Sequence, residues 1–343
     1  VQYGKPYEVH RVPTPRTLAD HDILIKVAVA SYCHSDTVAA SGVFTTKLPI
    51  IASHEGTGTV VAVGPAVTNF KPGDRTIAAL QRDRCGRCGE CTSPHDVAQF
   101  CRGAKGSIGI TIDGAFAEYL IGDSRTAVHV PDAVSFQLAA PLSCAGITIF
   151  RGVLQTGLKS GQWLAIVGSG GGLGHIGVQF AKASGLKVVG IEAREEALAL
   201  SKEVGADLVL DAREGDAALV QKIAEATGYG GVDASINVSN AKSAVTTACA
   251  VVRTHGTMVQ IAVEPPVLEI PARELWGRDL RLRGSLVCSV NEANQMMELV
   301  AKGGINVKSN VFHGLEEIPK LVHLVHSGKM QGKAIVVVDE SQV

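Results

Sequence analysis

The chain has 343 residues, is 46% apolar but only 4% aromatic, and carries a formal net charge of −1. That length suits two domains with aliphatic cores, and with no Lys/Arg block of five or more residues it offers no electrostatic footprint for nucleic acid or an anionic membrane surface. No apolar run reaches the ~18 residues that suggest a membrane span, the N-terminal VQYGKPYEVH lacks signal-peptide character, and the missing initiator Met points to residues ahead of Val1.

Roughly the first 140 residues read as β-rich and heavily punctuated by Gly and Pro. DILIKVAVASYC is a strand-like run ending at Cys33, GTGTVVAVG a second, KPGDR a turn, and GAFAEYLIGD a further strand. Between them lies CGRCGECTSPHDVAQFC, which holds Cys85, Cys88, Cys91 and Cys101. Two CxxC steps share their middle residue and a fourth thiol follows, a spacing that lets four sulfurs converge on one tetrahedral structural zinc. Disulfides between residues three apart are strained, and nothing marks the chain as secreted, so a reducing compartment such as the cytoplasm fits best.

The pattern changes near residue 160. WLAIVG (163–168) is an apolar strand, GGLGHIGVQFAKASG a Gly-rich turn opening into a helix, KVVGI (187–191) a strand and EEALALSKEVG a helix. LVL (208–210), a helical 215–227, VDASINV (232–238), a helical 241–252, TMVQIAV (257–263) and LRLRGSLV (280–287) continue the alternation. Six strands separated by helices predict a doubly wound, six-stranded parallel sheet in an α/β fold. The tail adds helices over NEANQMMELVAKG and LEEIPKLVHLVHSG and a strand AIVVVD, expected to pack back on the first domain. The expected division is therefore 1–145 with 288–343 as one domain and 146–287 as the other.

Gly172, Gly174 and Gly177 satisfy GxGxxG. Alone the pattern is weak, but here it follows a strand and opens a helix inside a βαβ unit, where backbone N–H groups and the helix N-terminus bind a pyrophosphate. Glu192 ends the next strand, 18 residues after Gly174, where an acid binds ribose hydroxyls. A carboxylate there repels a 2′-phosphate and favours NAD over NADP, although Arg194, two residues on, softens that preference. Outside the cysteine cluster, Cys33 in SYCHSD, His54 in ASHEGTG and Cys144 in APLSCAG are metal-capable. A Cys₂His set leaves one tetrahedral position open, the pattern of catalytic zinc. Each of the three also has a bland reading, as a buried small hydrophobe or a structural histidine, and spacing does not decide between them. A nicotinamide site that needs a Lewis acid favours the metal.

Taken together, CHSD, HEGTG, the four-cysteine lobe, GAFAEY, the Gly-rich turn and GSLV resemble the zinc-dependent alcohol dehydrogenases of the medium-chain dehydrogenase/reductase family, the tetrameric yeast and bacterial type in particular. The resemblance spans essentially the whole chain. It implies a GroES-like catalytic domain, a Rossmann domain, two zincs per subunit, NAD(H), a small-molecule alcohol or aldehyde substrate and a homotetramer. Cys33, His54 and Cys144 resemble the catalytic zinc ligands, Glu55 the acid that approaches the metal during ligand exchange, and Asp36 the acid that orients the histidine ligand. Asp36 also reads as a turn or helix-cap residue. Ser35 resembles the hydroxyl that binds the substrate oxygen and relays its proton, with a capping role as the alternative. His34 resembles the basic residue facing the pyrophosphate, or is an exposed imidazole without a role. Gly171, Gly172, Leu173 and Glu192 resemble the cofactor contacts, and Ile261, Val263, Ser285 and Val287 line up with the nicotinamide side. Lys333 sits where the family often carries a basic residue near the phosphates, or is a solvated lysine.

Three departures stand out. Nine residues separate Cys91 from Cys101, two more than the family pattern, so the lobe must bulge or recruit His95 or Asp96. Val38 stands where a relay histidine is common and moves no proton, which leaves the ribose or water beyond Ser35. Phe44 and Leu80 stand where the yeast-type enzymes carry tryptophans, and they widen the pocket beyond one shaped for ethanol unless they are plain core residues. Cys249 and Cys288 read as packing residues, and His175 and His255 as local hydrogen-bonders. A zinc-free enoyl or quinone reductase and a non-catalytic nucleotide-binding protein are the competing readings; relatives of the first kind lack the CHSD and HE pairing.

Overall fold

The computed structural model describes residues 3–44, 46–263 and 267–343. The chain divides into one unit of Val1–Ile147, Cys288–Gly303 and Lys308–Val343, and a second of Thr148–Val287 with Gly304–Val307.

The first unit is built on β1 (Asp22–Tyr32), whose run DILIKVAVASY is buried at all but one position, as a central strand must be. A short helix α1 (His34–Ala40) follows at once, then β2 (Glu55–Val63), β3 (Arg75–Ile77), the β4 (Gln81–Arg82) and β5 (Gly106–Ser107) pair, β6 (Tyr119–Asp123) and β7 (Val128–His129). A helical stretch comes next: α2 (Phe136–Pro141), a π-helical turn over Leu142–Gly146, and α3 (Ile147–Thr156). Sequence periodicity does not reveal this stretch, because a helix buried on most sides carries no polar stripe. By length and composition Phe136–Thr156 would span a membrane, yet 72% of its apolar window is buried within the fold, which makes it a core helix.

The second unit contains β8 (Trp163–Val167), α4 (Gly174–Ala183), β9 (Lys187–Glu192), α5 (Glu195–Glu203), β10 (Leu208–Asp211), α6 (Asp216–Thr227), β11 (Val232–Asn237), α7 (Ala244–Ala250), β12 (Val252–Gln260), α8 (Ala272–Arg278) and β13 (Arg281–Gly284). The strands form the expected six-stranded sheet in the order β10-β9-β8-β11-β12-β13, every pair parallel. Strand order reverses beside β8, so the carboxyl end of β8 is the switch point where such sheets bind ligands. Two details differ from the sequence reading. β12 starts earlier and ends at Gln260, so 261–263 form its exit loop, and α8 was not foreseen because none of its residues is buried and it has no apolar stripe to recognise.

The chain then returns to the first unit through α9 (Val290–Ala301), β14 (Ser309–His313), α10 (Ile318–His326) and β15 (Lys333–Val337). β15 pairs antiparallel with β1, Tyr32 opposite Ala334, on the side of β1 away from β2. Ile23, Ile25, Val27, Leu120, Leu321 and Val336 are among the buried side chains of this unit's core.

Candidate functional site

Strand register alone gathers the first set of polar groups. β1 ends at Tyr32, β2 begins at Glu55 opposite Ser31, and β15 begins at Lys333 beside Ala334, the partner of Tyr32. Three strand ends on one rim of the sheet therefore deliver Cys33, His54 with Glu55, and Lys333 to the same place. The π-helical turn supplies Cys144. Such single-turn widenings of a helix are frequent at functional sites, and here Ala145 N–H donates to Glu55 Oε1 at 3.2 Å. The ligand atoms of Cys33, His54, Glu55 and Cys144 all lie within 4.8 Å of one another.

The surroundings hold these groups rigidly. Asp36 is 1% exposed: its Oδ2 accepts from Cys33 N–H at 2.8 Å, capping α1, while Oδ1 accepts from Ser53 N–H at 3.1 Å and faces His54 Nδ1 at 3.3 Å. That last separation is an ion-pair distance without hydrogen-bond alignment, so Nδ1 and Nε2 of His54 both lack a hydrogen bond although the ring is 1% exposed. Lys333 Nζ donates to Tyr32 O at 2.7 Å and pairs with Glu55 Oε2 at 2.6 Å. The Cys144 thiol hydrogen-bonds to the Cys33 sulfur, which with nearby Lys333 and His54 holds Cys33 well below the usual thiol range against burial; the same bond and burial push Cys144 well up. Burial pulls the His54 imidazole down, but Asp36 and Cys33 outweigh it and raise it well above its ordinary value. Burial lifts Glu55 to about 7 even though Lys333 opposes the shift.

These residues fit a zinc ion. An imidazole Nε2 that is buried without a partner is costly, and two soft sulfurs beside it complete the Cys₂His donor set. Groups bound at about 2.0–2.3 Å to one tetrahedral ion lie within about 4 Å of each other, so the observed cluster closes on an ion with little movement.

The second thiol group also converges. Sγ atoms of Cys85, Cys88, Cys91 and Cys101 lie within 4.8 Å of one another, Cys85 and Cys101 being 3.6 Å apart, and none of the eight cysteines is in a disulfide. Backbone N–H groups of Arg87 and Cys88 hold the Cys85 thiol down to about 6, as suits a metal thiolate. The two extra residues are absorbed by a positive φ at Asp96 (51°) and a 3₁₀ turn over Ala98–Phe100. Asp96 is turned away to accept from Asn291 at 2.9 Å, so neither it nor His95 replaces a sulfur. Ion pairs brace the neck of the lobe: Arg82 on Asp22, and Arg125 and Lys105 on Asp83. Cys101→Ser is accordingly expected to remove one equivalent of bound metal and lower Tm by roughly 5 °C, with turnover changed less than about threefold because the braces persist. Metal analysis and calorimetry on the same preparation check this.

In the second unit, Gly168 (φ 92°) turns the chain out of β8 and the Gly-rich turn leads into α4. A Cβ on Gly174 would lie 2.0 Å from Gly168 O, so only glycine permits that approach. Glu192 ends β9 as read, and its carboxylate is fixed by Gly170 N–H at 3.2 Å and Ala193 N–H at 3.1 Å. Gly171, Gly172 and Leu173 occupy the half-buried turn itself. Ile261 and Val263 follow the carboxyl end of β12, and Ser285 and Val287 that of β13, the same edge of the sheet as the turn. Ser285 N–H donates to Gln260 O at 3.1 Å, and Val263 is 55% exposed.

Of the remaining candidates, Ser35 Oγ lies 4.0 Å from Cys33 Sγ, His34 is exposed, and Val38 is buried. Phe44 is half-buried in the turn after α1, and Leu80 is half-buried ahead of β4. Lys333 corrects the reading as a phosphate-facing or solvated lysine: it is 3% exposed, and its ammonium is committed to Glu55 and Tyr32 O. The Glu55–Lys333 pair was missed, and the one hint was a charged residue opening an otherwise wholly apolar strand, KAIVV. Cys288 donates to Ile147 O and Cys249 is fully buried, consistent with packing roles.

Residues 19–132 match the family model for an alcohol dehydrogenase GroES-like domain, and residues 172–302 that for a zinc-binding dehydrogenase. Over 340 residues, 98% of each chain, the sequence is 34% identical to an alcohol dehydrogenase of Geobacillus stearothermophilus. Among solved structures, the alcohol dehydrogenase of the hyperthermophilic archaeon Aeropyrum pernix aligns with a TM-score of 0.87 at 28% identity over 98% of both chains. A protein of Sinorhizobium meliloti 1021 described as a zinc-binding dehydrogenase, solved with NADP bound, aligns with a TM-score of 0.80 at 27% identity over 95% of this chain and 93% of its own.

Proposed function

The chain belongs to the zinc-type alcohol dehydrogenases of the medium-chain dehydrogenase/reductase family, and on that premise we propose that it moves hydride reversibly between NAD(H) and an alcohol, aldehyde or ketone bulkier than ethanol. The observation that carries this reading is the buried convergence of two thiols and an unpartnered imidazole nitrogen, which leaves one tetrahedral position for substrate. Bound there, zinc would supply Lewis-acid polarisation of the substrate oxygen, and a nicotinamide cofactor held by the Gly-rich turn would supply the hydride chemistry.

The chain's own groups do the rest. Cys33, His54 and Cys144 hold the ion. Asp36 fixes the Cys33 backbone and the His54 ring together, as outer partners of metal ligands do. Ser35, two residues on from Cys33 with its Oγ 4.0 Å from Cys33 Sγ, would take the substrate proton at Oγ while releasing its own hydroxyl proton, and because Val38 conducts none, that proton would pass to a cofactor ribose hydroxyl or to water. The four sulfurs of Cys85, Cys88, Cys91 and Cys101 suit a second, structural zinc. Glu192, held by two backbone amides, presents its carboxylate to the ribose hydroxyls and disfavours a 2′-phosphate.

Self-association is part of the proposal, as a homotetramer by family likeness. β13 is an edge strand with all four residues exposed, Leu282 among them, and neighbouring α8 presents Trp276 at 78% exposure. We place the protein in the cytoplasm, where eight cysteines without a disulfide are maintained in reduced form.

A panel of alcohols and carbonyl compounds run with NADH and NADPH, on protein of measured zinc content, tests the reading. NADH-linked turnover that rises with substrate bulk supports it; zinc-loaded protein inert toward every member would refute it. In Glu192→Ala, the KM for NADH is expected to rise about tenfold and the preference over NADPH to narrow.

A further inference from the structure

His175 is wholly buried in the first turn of α4, the ten-residue helix that the Gly-rich turn opens. Its ring Nδ1 lies 2.8 Å from Gly171 O, and its backbone N–H donates to the same oxygen at 3.2 Å. A carbonyl only accepts, so the proton of this bond sits on Nδ1. Gln179 holds the turn from behind: its Nε2 donates to His175 O at 2.9 Å and to Asn306 O at 2.7 Å, and its Oε1 accepts from Asn306 N–H at 2.8 Å.

We infer that His175 is a positioning residue that sets the orientation of the Gly171–Gly172 peptide for the cofactor's pyrophosphate. A trans peptide is planar, with its C=O and N–H pointing in opposite directions. Drawing Gly171 O onto the His175 ring therefore fixes Gly172 N–H pointing the opposite way within the peptide plane. Between two glycines no Cβ resists rotation of that peptide. If it turned over, a carbonyl oxygen would replace an N–H where an anion is to bind, a donor lost and a repulsion gained. The imidazole thus acts through the main chain and need not touch the cofactor. This rests on the nicotinamide-dinucleotide reading above.

The test compares wild type, His175→Phe and His175→Asn. Phe keeps a ring but has no donor; Asn places an N–H at the position of Nδ1. Direct NADH titration of the zinc-loaded enzymes is expected to give a Kd about tenfold weaker for the Phe variant. The Asn variant should return to within about threefold of wild type, and both should match wild type in zinc content and in kcat at saturating NADH. A Phe variant that binds NADH like wild type overturns the inference. So does an Asn variant as weak as Phe, because the loss would then be one of packing. Wild type that binds neither NADH nor NADPH overturns the dinucleotide reading itself, and the inference with it.

Discussion

His54→Ala is expected to reduce kcat by at least about 10³-fold, the loss of some 4 kcal/mol of electrophilic stabilisation, and to leave the protein one zinc short. NADH binding should change by less than about twofold, because the Gly-rich turn and Glu192 belong to a separately folded sheet. Burial and partner count set the size of the effect. His54 is 1% exposed, and neither of its ring nitrogens has a hydrogen bond, so the ring is preorganised for an ion. Truncation removes one of three donors and opens a cavity whose neighbouring carboxylates are already engaged, Glu55 with Lys333 and Asp36 with the backbone N–H groups of Cys33 and Ser53. Steady-state kinetics, elemental analysis and NADH titration on one preparation decide the matter. Normal turnover in a variant that has lost that zinc would end the zinc mechanism. Cys33→Ala should behave alike.

Lys333→Met is expected to be the most destabilising single change of charge in the molecule, about 3 kcal/mol at pH 8. Lys333 and Glu55 are 3% and 0% exposed, and removing the ammonium strands a buried carboxylate that then has only Ala145 N–H as a strong donor. The effect should shrink toward pH 6. Glu55 is raised from 4.5 to about 7 in the folded metal-free protein, so the native state holds a proton that the unfolded chain releases. That proton's contribution to stability is full below the unfolded value near 4.5 and is lost as pH rises through 7. Without Lys333 the carboxyl stays protonated to higher pH, and the cost of the substitution falls wherever protonation is cheap. Denaturant melts of metal-free protein at both pH values measure the difference. The double variant Glu55→Gln/Lys333→Met should recover most of the loss; if it is no more stable than Lys333→Met, the effect is one of packing rather than charge.

Which parts of this molecule could be read in advance follows from the range of the interactions involved. The second unit was legible because its inner strands, β8, β9 and β11, are short, largely buried runs in alternation with helices, and Glu192 was placed at the end of β9 because the acid's position follows from the period of a βαβ unit. α8 was missed since ARELWGR buries nothing, and the helical run through Cys144 since it buries nearly everything; periodicity needs one face of each kind. The three thiol and imidazole groups were found one at a time by residue type and by family likeness, but their convergence depends on the register of β1 against β2 and on a helical turn that returns Cys144 to the same rim 111 positions after Cys33. Lys333 shows the limit most clearly. Its partner Glu55 is 278 positions away in sequence, and nothing local distinguishes a buried lysine from a solvated one.

The pairing of β15 with β1 also imposes an order of events during synthesis. Lys333 and Tyr32 are 301 residues apart. At ribosomal rates the strand leading to Cys33 waits roughly 15–60 s for the strand that starts at Lys333. Through that interval the edge of β1 over Val29, Ala30, Ser31 and Tyr32 lacks the strand it pairs with, and Glu55 lacks the Lys333 ammonium. The rim that gathers the thiols, the imidazole and the carboxylate is thus completed late in folding, at the cost of closing a very long loop. A nascent chain has the sulfurs long before it has the cage, and an unpaired strand edge is the kind of surface on which another strand can add.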